Sequence, residues 1–140
     1  MLYLVNHELL WKKLSSIGIS SKLLNVLRDL YGKARMFVRN CGGTSDAFEI
    51  TLGVLQGETL SPTLFSLFIS DIEDFLLKKK LRGVSIDNLT EIMMLAFADN
   101  IVSLSESYMI FKKIIKGLEE NCLNNQLTVN VKKTKAILFQ

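Results

Sequence analysis

Proline is all but missing from this chain: Pro62 stands alone. No stretch rich in Pro, Gly or Ser divides one part from another, and neither a repeat nor a low-complexity tract occurs. Without a candidate linker, the 140 residues, 49% of them apolar, are expected to form one domain over 1–140, large enough to bury a core. Cysteine is also scarce. Cys41 and Cys122 lie far apart and outside any C-x-x-C spacing, which excludes a ribbon-type metal site and a disulfide framework; both are expected as buried free thiols. The single histidine, His7, has no His or Cys partner at ligand spacing, so a capping or surface role is expected of it rather than a metal role. Long apolar runs are lacking too. Residues 64–69 and 93–97 fall far short of the roughly 20 needed to span a bilayer, so no membrane is expected as a partner. Met1 is followed by neither a basic segment nor an A-x-A type cleavage site, so the chain is expected to be intracellular, cytoplasm and nucleus being indistinguishable.

What charge there is nearly balances. Seventeen Lys plus Arg against 14 Asp plus Glu leave +3, which permits nucleic-acid contact without requiring it. Two basic runs matter more than the sum: Lys78, Lys79, Lys80 and Arg82, and then Lys132, Lys133 and Lys135. Either can face phosphates, though the first also reads as a solvated helix end.

Hydrophobic spacing gives the coarse architecture. Asn6 is placed to cap a helix that Gly18 stops, and Ser20 or Ser21 starts a second one ending near Tyr31-Gly32. Residues 34–40 and 47–52 are β-prone and separated by a turn at 41–46, the pattern of a hairpin. Ser61-Pro62 marks the start of the longest helix, with Ser61 as cap and Phe65, Phe68, Ile69, Ile72 and Leu76 as an apolar stripe to about Leu77. Residues 93–98 and 101–104 form a second hairpin around Asp99-Asn100, and a helix over 107–122 follows. Short strands at 127–131 and 136–139 close the chain around a basic turn. The fold class is α+β: antiparallel strands with helices packed on one face.

Three polar islands interrupt these apolar elements. Gly53-Val54-Leu55-Gln56-Gly57-Glu58-Thr59-Leu60-Ser61-Pro62 is a glycine-bracketed loop feeding a helix, where backbone can approach a ligand and Gln56 offers both a donor and an acceptor. Ala96-Phe97-Ala98-Asp99-Asn100 carries a carboxylate at a hairpin tip. Asn130-Val131-Lys132-Lys133-Thr134-Lys135 is the basic turn.

Taken in order, these segments resemble the reverse transcriptase of non-LTR retrotransposons of the LINE type. Residues 53–65 are similar to the family's motif B, G-V-x-Q-G-D-P-L-S-P-x-L-F, with Glu58 in place of Asp and Thr59 in place of Pro. Phe97 to Asn100 falls where motif C has an aromatic residue, alanine and two aspartates. Asn130, Lys133 and Thr134 resemble a later motif whose lysine lies near the incoming triphosphate. Val5-Asn6-His7 resembles the run after the motif A aspartate, F-D-x-V-N-H, and Tyr3 holds that aspartate's place. The resemblance implies a polymerase palm, here without fingers and thumb. It also implies Mg²⁺ or Mn²⁺ at Asp99, template or nucleotide contacts from Phe97, Gln56, Gly57 and Lys133, and RNA or an RNA/DNA duplex as partner.

The departures bear on the chemistry. Of three catalytic carboxylates in the family's pattern, one remains, Asp99; Asn100 and Tyr3 occupy the other two positions. Two divalent ions held about 3.5–4 Å apart need clustered negative charge. A single carboxylate implies no polymerisation and, at most, a residual metal site. Two other outcomes are compatible with the same residues: a retained module that binds RNA or protein, or one piece of a longer active polymerase. Loss of the strand that ends at motif A is expected to expose a sheet edge, which a homodimer would cover.

Overall fold

The computed structural model describes residues 5–49, 53, 59–87, 89–97 and 100–139. Five helices and eight short strands follow one another along them: α1 (His7–Ser16), α2 (Ser21–Lys33), β1 (Arg35–Met36), β2 (Arg39–Asn40), β3 (Gly43–Thr44), β4 (Phe48–Glu49), α3 (Leu60–Ile69), α4 (Ile72–Lys78), β5 (Val84–Ser85), β6 (Glu91–Ile92), β7 (Met94–Phe97), β8 (Asn100–Ser103) and α5 (Tyr108–Asn124). The α+β class is as the sequence indicates. Every strand pairing is antiparallel: β1 with β4, β2 with β3, β5 with β6 and β7 with β8.

Helix starts follow from local side chains. Asn6, Ser20 and Ser107 are extended, and their side chains accept the backbone N–H of Leu9, Leu23 and Ile110, three residues on, satisfying a donor with no partner inside the helix. The ends of three helices share one geometry. After α1, Gly18 adopts φ +93°; Ile19 N–H bonds to Leu14 O and Gly18 N–H to Ser15 O. The same paired bonds close α4 through Leu81 to Leu76 and Lys80 to Leu77, and α5 through Leu127 to Cys122 and Gln126 to Leu123. Left-handed conformation is thus forced on Lys80 and Gln126, at φ 57° and 55°, where glycine is the usual residue.

The core joins all five helices. Leu10, Trp11 and Leu14 of α1 meet Leu24, Leu27 and Tyr31 of α2, with Leu64, Phe65, Phe68 and Ile69 of α3, Ile72 and Leu76 of α4 and Ile114 of α5, and Val5, Leu81 and Met93 outside the helices complete the cluster. Burial of these side chains, at about 1.5–3 kcal/mol each, is what holds the helices together. Gly117 sits on the face of α5 turned to α4, and a Cβ there would lie 2.6 Å from Leu76 Cδ2, so its lack of a side chain sets how closely the two helices pack.

Several expectations need correction. The stripe expected on one helix to Leu77 is carried by two, α3 and α4, broken at Ser70 and Asp71. The Ser70 hydroxyl donates to Leu67 O at 2.8 Å, and the Lys13 ammonium donates to Phe68 O at 2.7 Å and to the Asp71 carboxylate at 2.6 Å. These partners occupy carbonyls that a continuous helix needs. Ser61 is not the cap: α3 begins at Leu60, and Ser61 is buried within its first turn, where Pro62 costs no hydrogen bond. In the first hairpin, β3 lies inside the expected turn and pairs with β2, so Cys41 lies exposed at a two-residue connection rather than buried. Cys122 is half-buried, and burial pushes its thiol pKa up. Residues 127–131 and 136–139 are not strands. Ile137, Leu138 and Phe139 are exposed, because a strand needs a partner edge and none among the described residues pairs with them.

The β5–β6 hairpin was not anticipated. Asp87 makes its turn: its carboxylate accepts the backbone N–H of Leu89 and of Thr90 and the Thr90 hydroxyl, and these bonds hold its pKa below the ordinary value. Glu91 is likewise held low, first by the Gly83 N–H at 2.7 Å and then by Arg82 at 3.0 Å. Met93 separates β6 from β7, and its carbonyl accepts Leu104 N–H, so the run 91–97 pairs first with β5 and then with β8.

Candidate functional site

The hairpin β7–β8 presents the aromatic-Ala-Asp-Asn segment. Its register pairs Met94 with Ser103 and Phe97 with Asn100, so Asn100 opens a strand instead of sitting in a turn. Phe97 is 82% exposed and Asn100 is exposed, leaving this end of the hairpin free to meet a ligand. Ala98 and Asp99, between them, lie outside the described residues, as do Tyr3, Gln56 and Gly57.

Lys133 sits in the turn after α5. The Asn130 carbonyl accepts the backbone N–H of both Lys133 and Thr134 at 3.0 Å, and the Thr134 hydroxyl at 2.9 Å, closing a helical turn that projects the basic run from the surface. Lys132, Lys133 and Lys135 are all exposed. The earlier basic run is spent differently. Lys79 pairs with Glu120 at 2.8 Å and lies over the Phe75 ring, and Arg82 pairs with Glu91. These residues tie α4 to α5 and brace β5–β6, the solvated reading of that run. Among the described residues, no group of three His, Cys, Asp or Glu is arranged to hold a metal ion.

The glycine-bracketed segment is fixed at its first residue. Gly53 has φ +86° and is buried; its N–H donates to Val5 O at 2.9 Å, and its carbonyl lies 2.7 Å from His7 Nε2. Val5 is itself fully buried. Val5 and His7, at the start of the described chain, are thus joined directly to Gly53, the first residue of that segment. His7 is therefore neither a cap nor a surface residue. Its ring stands edge-on to Tyr31, centroids 5.3 Å apart, and is tilted against Trp11 at 6.0 Å. Sequence reasoning missed this contact, and no local signal marks a pair 46 residues apart.

Asn6 adds a second link, since its amide donates to Gln126 Oε1 at 3.0 Å. Phe65 and Phe68 of the expected apolar stripe are buried, and so is Trp11. Asp71 is exposed and pairs with Lys13 of α1 at 2.6 Å. No helix among the described residues is long and apolar enough to cross a membrane. Compared with known families, residues 3–138 match the model described as reverse transcriptase (RNA-dependent DNA polymerase).

Proposed function

The chain belongs to the reverse transcriptase (RNA-dependent DNA polymerase) family, and on that premise we propose that it is the palm region of a non-LTR retrotransposon enzyme in which the fold has outlasted the chemistry. The observation that carries this reading is the residue set at the three catalytic positions: Tyr3, Asp99 and Asn100, one carboxylate where the chemistry needs several. Mg²⁺ and Mn²⁺ are hard ions that demand oxygen donors and compensating charge. A phenol and an amide supply no charge, so this donor set does not fit a pair of divalent ions, whose mutual repulsion a single carboxylate barely offsets. Primer extension by the chain on an RNA template, with either ion, is expected to yield no product above background; templated product that disappears with Asp99→Ala would refute the reading.

A second reading, a module that retains RNA binding, is favoured by two separate observations: the exposed turn bearing Lys132, Lys133 and Lys135, and the exposed Phe97 ring at the end of β7. Exposed lysines bind phosphate mainly by counterion release, and an exposed aromatic ring can stack on an unpaired base. If all three lysines meet phosphates of single-stranded RNA, replacing them by Ala will flatten the slope of log affinity against log salt by about 2. Filter binding from low to physiological salt measures it. An unchanged slope would assign any binding to other residues.

A further inference from the structure

We infer that His7 is a positioning residue, whose Nε2–H holds the Gly53 carbonyl and so fixes the backbone at the first residue of the glycine-bracketed segment. The inference rests on the family reading only in so far as that segment is the motif B loop; the contact itself is independent of it.

The geometry gives His7 a single role in the bond. A carbonyl only accepts, so the proton between the 2.7 Å partners is on Nε2. Gly53 is then braced on both sides of its Cα: its N–H by Val5 O at 2.9 Å and its C=O by His7. Its φ of +86° is open to glycine and strained for other residues, so the backbone there has freedom that something else must remove. The two bonds remove it. The ring is held in turn by Trp11 and Tyr31, which pack edge-on to each other at 5.6 Å and are both buried, so the donor is presented from the α1–α2 junction. The Asn6 side chain caps α1 one residue earlier, fixing the backbone from which His7 projects.

Donor and ring can be separated by substitution. His7→Phe keeps an aromatic ring against Trp11 and Tyr31 and deletes the donor. His7→Gln places an amide N–H at nearly the reach of Nε2 and deletes the ring. Amide hydrogen exchange on the intact chain, resolved at Gly53 and the residues following it, reads the loop without needing nucleic acid, while urea unfolding reads global stability. Loss of one hydrogen bond to a partly buried carbonyl predicts roughly threefold to tenfold faster exchange at Gly53 in His7→Phe, with protection largely restored in His7→Gln. The reverse order, His7→Phe protected like the parent chain and His7→Gln exposed, would overturn the inference and leave His7 as a packing residue. Equal protection in all three chains would overturn it as well. Failure of RNA binding or of polymerase activity changes neither outcome, so the positioning role and the functional reading stand or fall separately.

Discussion

A full-length, active reverse transcriptase in which residues 3–138 of this chain replace the matching segment is expected to extend primers at a background rate; adding Tyr3→Asp and Asn100→Asp is expected to recover on the order of 10³-fold or more. The chimera supplies whatever surrounds a palm in an active enzyme, so the experiment isolates the acids. Stabilising charge on the reacting phosphates contributes several kcal/mol, and each 1.4 kcal/mol or so changes the rate tenfold. Either substitution alone should recover far less than the pair, because clustered carboxylates act as a unit and their effects are not additive. Rapid extension by the unmodified chimera would mean that Asp99 and Asn100 suffice. Failure of the doubly substituted chimera would place the lesion elsewhere, with Glu58 and Thr59 the next positions to revert.

Gly83→Ala is expected to destabilise the chain by about 3 kcal/mol or more, at the upper end of overpacking effects. Gly83, the residue just before β5, is buried against the start of the 91–97 run, and a Cβ there would overlap the Ile92 carbonyl and the Met93 Cα. Both obstacles are backbone. Neither can swing aside as a side chain does: Ile92 is paired with Val84, and Met93 is buried in the core. Relief would require breaking the Gly83 N–H bond to Glu91 or parting β5 from β6. For a chain of this size such a loss corresponds to a fall in melting temperature on the order of 10 °C. Gly32→Ala is the control, since Gly32 lies in α2 with open space around it, and alanine is the better helix former by up to about 1 kcal/mol. A Gly83→Ala chain that melts with the parent would show that the two strands are not held this closely.

The parts of the fold that were legible in the sequence are those decided within a few residues. Asn6 and Ser20 announce α1 and α2 because each cap acts three residues away, and Gly18 announces a helix end because glycine reaches φ +93° without strain. The same end motif at Lys80 and Gln126 was hidden, since neither residue type signals it. The break between α3 and α4 depends on Lys13, 58 residues from Asp71, and no window along the chain contains both. The apolar run at 136–139 led to the opposite error, since it suits a strand but pairs with no neighbour among the described residues. Strands of two residues, as in β5 and β6, are too short to show alternation at all.

The candidate site divides along the same line. Its segments were visible as glycines, turn residues and a lone carboxylate in apolar surroundings, and the family match spans all of them. The structure adds how two are placed: Phe97 and Asn100 close the exposed end of β7–β8, and Lys133 projects from the turn built on Asn130. The join of Val5 and His7 to Gly53 is tertiary and could be found only in three dimensions.

The most direct test of the central claim is calorimetric titration of Mg²⁺ and of Mn²⁺ into the purified chain, with and without primer-template and nucleotide, beside the Asp99→Ala variant. A palm that has lost its paired carboxylates predicts dilution heats alone, the same for both chains. Saturable binding of two ions per chain, removed by Asp99→Ala, would contradict it.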